Sequence, residues 1–451
     1  MMDTIQQQDP PRHEYLFAQL MEPPRSHPQL DAKVVCTDVH DSGECLDSSM
    51  ISTFELSGAG DFLAVGDRGG KITIYKEDNL TKRTKFTEHL VFQSHDPEFD
   101  YLKSLEIEEK INQIKWVPRS YQDRFLLSAN DKTVKLWKVG EMMTRSVENL
   151  KDINANNPNH LVLPRVTRGK SQPVASFRRA YSNAHAYHIN SISVNTDQET
   201  FLSSDDLRIN MWNLEVNKES FVAVDMKPEN MEDLTEVITS ASFHPTQCNV
   251  FGYSSSKGLT RMCDMRVAVV CDNKNSKVFQ DVPDNRGYFS EVITSIGSLQ
   301  FSNSGRYVAT RDFMNVKIWD LTMERTPVQV IPVHEHLSSK LGELYENDSI
   351  FDKFGLSWSK HDEYISTGSY DGLVCLAQRN SNRSSLFAIS RDVSKNQVLK
   401  PKTVVSGPAE KRHTVSVEAL DLDRKVGLVT WGNDNLLFAA VNSSMYVLNV
   451  K

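Results

Sequence analysis

The chain has 451 residues, 39% hydrophobic and 24% charged, with 20 Gly and 17 Pro, which excludes collagen, a coiled coil and full disorder and leaves ample length for a buried core. Its 51 Lys and Arg against 59 Asp and Glu give a net charge of −8, which excludes a binder that grips nucleic acid through a basic excess and favours a cationic partner. Six cysteines show no CxxC pair and no His companions at zinc spacing, so reduced thiols are expected rather than a disulfide framework or a zinc site.

Residues 1–48 are rich in Pro, Gln and charge, and a mobile tail is expected there. Asp3 comes early and no apolar core precedes Pro10, so the start does not read as a secretory leader. No run reaches the ~18 apolar residues of a membrane span. Together these predict a cytoplasmic protein, with the nucleus as a second compartment.

From residue 49 the chain repeats itself. Each unit holds a strand rich in Leu, Val and Ile, a turn with Asp or Gly, and an alternating strand that ends in Trp in the clearest copies. Those copies are FLLSANDKTVKLW (125–137), FLSSDDLRINMW (201–212) and YVATRDFMNVKIW (307–319), so Trp137, Trp212 and Trp319 hold one equivalent position. Weaker copies end at Tyr75, Cys263, Ala377 and Leu448. Alternation as at Val134 and Leu136, or Ile209 and Met211, is the period of a strand packed on a sheet face. A repeat of about 40 to 45 residues with four short strands and a Trp-ending strand is the WD-repeat pattern. The expected fold is all-β, a seven-bladed propeller over residues 49–451, although length alone would suggest about three domains.

Seven such units leave a surplus, concentrated in insertions near residues 89–112, 139–180 and 379–428. The first carries LEIEEK (105–110), the second includes Leu161 to Val166 as one arm of an extra hairpin, and the third holds a basic loop at Lys400 to Lys402 and Glu410 to His413. The acidic run Glu106, Glu108 and Glu109 reads either as a solvated face or as part of a rim shared with Asp205, Asp206, Glu232, Asp233 and Glu236, where a basic peptide is steered and held. Asp206, six residues before Trp212, reads either as the repeat's turn-forming Asp or as part of that rim.

No Gly-rich phosphate loop, HExxH, GxSxG or EF-hand pattern occurs, and no enzyme activity, cofactor or metal is expected. Asp67-Arg68-Gly69-Gly70 reads as a hairpin turn, and His334-Glu335-His336 as a surface loop lacking the further ligand a metal needs.

Long phrases, among them FQSHDPEFDYLKSLEIEEKIN, NAHAYHINSISVN, DDLRINMWNLE, NMEDLTEVITSASFHP and LYENDSIFDKF, closely resemble the WD-repeat type, 55-kilodalton B regulatory subunits of serine/threonine protein phosphatase 2A. The resemblance runs from about Asp47 to the C-terminus. It implies a non-catalytic subunit that docks on a helical-repeat scaffold subunit and presents phosphoproteins to the catalytic subunit's two metals. Carried over by matching phrase, it implies a substrate groove formed by Glu108, Glu109, Lys110, Tyr187, His188, Asp206, Glu232 and Leu234. Asp47, Arg68, Tyr345, Phe351 and Lys353 would be further rim residues. Carboxylates would pair with the basic side chains of a short substrate helix while Leu234 and the aromatics take its apolar face. The insertion at 139–180 occupies the place of the family's scaffold-docking hairpin, but Met142, Met143 and ENLKDINANNPNHLVLPRV depart from its pattern. A generic WD-repeat platform of another assembly is the competing expectation.

Overall fold

The computed structural model describes residues 35–38, 47–78, 85–101, 104–118, 124–148, 165–268, 270–271, 276–281, 287–381, 384–389, 402–405, 414–433 and 435–450. Its frame is seven four-stranded antiparallel sheets. The first blade runs Ile51–Leu56, Phe62–Asp67, Lys71–Asp78, Lys85–Gln93; the third runs Ser191–Val194, Thr200–Ser204, Arg208–Asn213, Val216–Asp225. The repeating unit legible in the sequence is the hairpin of a blade's second and third strands in all seven cases. The equivalent positions take the same register: Tyr75 faces Leu63, Trp137 faces Leu126, Trp212 faces Phe201 and Trp319 faces Val308. Cys263, Ala377 and Leu448 likewise face Phe251, Ile365 and Leu437.

Burial explains the two strand patterns. Second strands are buried almost throughout because blades press on both of their faces, so they are built from apolar residues and small Ser, Thr and Gly; Phe62 to Gly66 are all buried. Outer strands are half covered, and Gln329–Pro332 accordingly alternates buried and exposed. Separate apolar clusters fill the space between successive blades, and one of them joins Phe54, Leu63 and Tyr75 of the first blade to Leu436, Phe438 and Val447 of the seventh. The ring is therefore closed by packing, which leaves few open sheet edges.

The seventh blade is Val426–Trp431, Leu436–Val441 and Ser444–Asn449, with Val35–Asp38 as its outer strand. Val35 pairs with Val447 and Asp38 with Ser444. A short piece of the stretch read as tail thus completes the last blade, because an outer strand needs only backbone partners and modest apolar content; residues 1–34 and 39–46 lie outside the described residues.

The expected insertions take three forms. Residues 94–112 carry a small hairpin, Glu98–Asp100 with Leu105–Ile107. In the second insertion the last two strands of the second blade, Val134–Glu148 and Arg165–Tyr181, run on as one long hairpin past the ring; residues 149–164, including the start of the expected arm, lie outside the described residues. The third contains a parallel pair, Thr403–Val405 with Thr414–Ser416, and most of its basic loop lies outside them. One cysteine expectation is overturned: Cys263 and Cys271, both buried, are joined in a disulfide. Their Cα atoms come to 5.8 Å because the tight turn after Leu259–Asp264 returns the chain onto the core between the third and fourth blades. Among the described residues no helix is long and apolar enough to cross a membrane.

Candidate functional site on the loop-bearing face

A four-stranded meander places its second-to-third turns and its links to the next blade at one end, and the other two turns at the opposite end. All thirteen residues singled out above lie on the first set of connections. The long hairpin leaves from the other end, since it joins a third strand to a fourth.

In the third blade the turn before Arg208 is held by Asp205, not Asp206. One Asp205 carboxylate oxygen accepts from the N–H of Leu207 and of Arg208, at 2.8 and 2.7 Å. The other accepts from His185 Nδ1 at 2.9 Å; Ser203 Oγ lies 2.6 Å from His185 Nε2, and the Trp212 indole N–H donates to Ser203 at 2.9 Å. With Nδ1–H turned to the carboxylate, Nε2 accepts the Ser203 hydroxyl proton. This chain is buried, Asp205 being 1% exposed. Burial pushes the Asp205 pKa up, but His185 and the two N–H donors overcome it and hold the carboxyl below its ordinary value. His185, unmarked in the sequence reading, is thus a structural member of the blade; its place in the link ahead of the blade, far in sequence from Asp205, left no spacing by which to find it.

The same turn role falls to Asn130, whose side chain accepts from Lys132 and Thr133 N–H, and to Asp312, which accepts from Met314 and Asn315. Each stands seven residues before its Trp. The residue one later, Asp131 or Asp206, is released from the turn. Asp131 takes His188 Nδ1 at 3.1 Å and Asn112 at 2.8 Å. Asp206 is half-buried; burial raises its pKa, Lys353 and His188 draw it back, and Asp205 adds to the rise. Asp206, His188 and Lys353 are therefore brought into electrostatic reach of one another from one turn and two links.

The other candidates are distributed along this face. Glu108 accepts from Asn130 through its carbonyl, and the Glu109 carbonyl sits so close to Gly70 that a Cβ there would meet it at 2.9 Å and the His95 carbonyl at 2.2 Å; Gly70 has φ +79°. Arg68, on the same turn, pairs with Asp47 at 2.7 Å in solvent. Glu232 lies in the single turn Met231–Asp233, capped by Asn230, with Leu234 half-buried just after it. Among the described residues, Glu232 and Tyr187 form no side-chain hydrogen bond or ion pair with the other candidates. Tyr345 lies 6.0 Å from Phe351 and 5.5 Å from Phe289, ring to ring.

Phe351 and Lys353 line a cavity of about 710 Å³ over the fourth and fifth blades and the link into the sixth, with Thr235, Lys257, Arg311 and Asp312 among its walls. His334, expected in a surface loop, is fully buried beside it: its Nε2 lies 2.9 Å from Ser369 Oγ, and the rings of Phe313, Phe354 and Tyr370 enclose it. A link folded down over an apolar cluster, rather than out into water, is the reason. Among the described residues no group of three or more His, Cys, Asp or Glu is placed to hold a metal.

Comparison with known proteins returns the WD domain, G-beta repeat, over residues 343–376, the link into the sixth blade and its central hairpin. The chain is 49% identical over 420 residues to the protein phosphatase PP2A 55 kDa regulatory subunit of Drosophila melanogaster, covering 90% of this chain and 84% of that protein. It is 46% identical over 428 residues to the B beta isoform of the serine/threonine-protein phosphatase 2A 55 kDa regulatory subunit of Carassius auratus, covering 92% and 96%.

Proposed function

The chain belongs to the family of 55 kDa regulatory subunits of protein phosphatase 2A, and on that premise we propose that its loop-bearing face recruits phosphoserine and phosphothreonine proteins through an acidic groove. Hydrolysis of the phosphate ester, which needs two metals and their carboxylate and His ligands, belongs to the catalytic subunit; this chain supplies effective concentration and orientation. It docks on the helical-repeat scaffold subunit, with the hairpin of Val134–Glu148 and Arg165–Tyr181 as the contact, in the cytoplasm and the nucleus. Exposed Met142, Met143 and Phe177 on that hairpin give it the apolar surface an interface core requires.

The observation that carries the reading is Asp206. It is freed from the turn by Asp205, half-buried, and belongs to the same set of connections as Glu108, Glu109 and Glu232. A carboxylate so placed pairs with an Arg or Lys of a substrate helix more strongly than one in open water, and Leu234 offers the apolar contact beside it.

The test is reconstitution with scaffold and catalytic subunits. Asp206→Lys is expected to leave the size-exclusion profile of the three-chain complex unchanged and to slow dephosphorylation of a phosphoprotein bearing a basic helix by on the order of a hundredfold. Unchanged turnover would remove the acidic groove from the mechanism. Pull-downs from native extract that contained no phosphatase subunit would favour a platform for another assembly.

A further inference from the structure

The cavity over the fourth and fifth blades and the link into the sixth differs in character from the acidic rim beside it. At its wall stands Arg311, 1% exposed. One Arg311 Nη donates to the Asp312 carbonyl at 2.6 Å and the other faces the His334 ring at 3.3 Å, while Nε has no hydrogen-bond partner among the described residues. No carboxylate stands within ion-pair distance of that guanidinium among them either, a costly state for a buried cation. Burial lowers its pKa to about 10, so it stays charged at neutral pH.

The carboxylates in the lining are mostly committed elsewhere. Asp281 and Asp312 both hold Lys317, at 3.0 and 3.2 Å, and the second Asp312 oxygen caps its turn. Asp352 holds Lys425 and accepts from the Tyr370 hydroxyl at 3.1 Å. Glu291, exposed, is the one lining carboxylate with no cation within 4 Å among the described residues. Lys257 and Lys353, exposed at the mouth, have no carboxylate within that distance among them, although Asp206 feels the Lys353 charge.

We infer that this cavity is an anion site for a phosphate monoester or free phosphate, with the Arg311 guanidinium as its buried donor and Lys257 and Lys353 closing on the ion from the mouth. A guanidinium edge offers directed N–H donors and two ammonium groups offer mobile ones, which together match a dianion with three acceptor oxygens. The inference does not rest on the acidic groove, since it concerns the charge of the ligand's phosphate and not its basic flank.

The experiment is calorimetric titration of the full chain with inorganic phosphate at constant ionic strength, and with one short peptide in phosphoserine and unmodified forms. Phosphate is expected to bind, and Lys257→Ala to weaken it roughly tenfold. Arg311→Lys reports on the buried donor where its circular dichroism and melting match the parent chain; Lys257→Ala, on an exposed position, keeps the test valid if it does not fold. A phosphopeptide that binds and is displaced by phosphate assigns the site to a protein side chain, whereas free phosphate binding alone assigns it to the small ion. No heat at millimolar phosphate, or equal affinity in the parent and Lys257→Ala chains, overturns the inference.

Discussion

The third and fifth blades solve one problem with different neighbours. Each ends its second strand in an Asp whose carboxylate accepts two turn N–H groups, seven residues before a buried Trp. In the third blade the remaining oxygen meets His185 and feeds a hydrogen-bonded line to Trp212. In the fifth it meets the ammonium of Lys317, and Trp319 finds its partner separately in Thr310 at 3.2 Å. The turn is thus shared by these two blades and, through Asn130, by the second, while the flanking residue is free to vary, Ser204 in one blade and Arg311 in the other. The variable positions around a constant turn are where a binding face is built.

The sharpest way to break that comparison is to remove the turn carboxylates. Asp205→Ala strands two backbone donors and His185 in a dry interior, and is expected to cost about 3 kcal/mol in urea unfolding. Asp312→Ala strands its turn donors but leaves Lys317 with Asp281, so a smaller loss of about 2 kcal/mol is expected. If both substitutions proved neutral, the turns would be held by packing alone.

The lines behind the turns separate the blades further. Ser203→Ala cuts the contact with both His185 and Trp212 and is expected to cost about 2 kcal/mol, while Thr310→Val cuts one bond to Trp319 and should cost about 1 kcal/mol. Melting temperatures of the two variants, measured side by side, check the ratio.

Acid titration gives the smallest and most specific difference. The folded Asp205 carboxyl sits below its ordinary value, so the unfolded chain binds its proton more readily. Its contribution is complete above the unfolded value of about 3.9 and is lost as pH falls through the folded one. Asp312 has the opposite sign. Burial raises its pKa despite Lys317 and Arg311, so stability drains as pH rises from about 3.9 towards the folded value. Urea midpoints between pH 3 and 6 should therefore lose acid sensitivity in Asp205→Asn and gain it in Asp312→Asn; parallel curves would contradict the assignment.

The central hairpins of all seven blades were legible because they carry a regular pattern: a strand of apolar and small residues, an Asp, Asn or Gly turn, an alternating strand. Val35–Asp38 was not, since its four residues show no period and their partner lies at the far end of the chain. Cys263 and Cys271 were missed because proximity across a turn leaves no trace in spacing. Asp205 and Asp206 were one residue out of step, as either could cap the turn until the N–H directions were known. Arg311 did leave a mark, a cation in the strand YVATR where every other blade carries an uncharged residue or Asp, but its burial depends on a link that folds down from the next blade.

The shared seventh blade has a consequence for synthesis. Its outer strand leaves the ribosome before the other six blades and its inner strands after them, so the blades already made stand in an open arc with two unpaired flanks until the seventh is assembled. The chain must hold these apart from other nascent chains until Ser444–Asn449 emerges to meet Val35–Asp38. Ring closure therefore waits for the last strand of the repeat array rather than for the folding of any one blade.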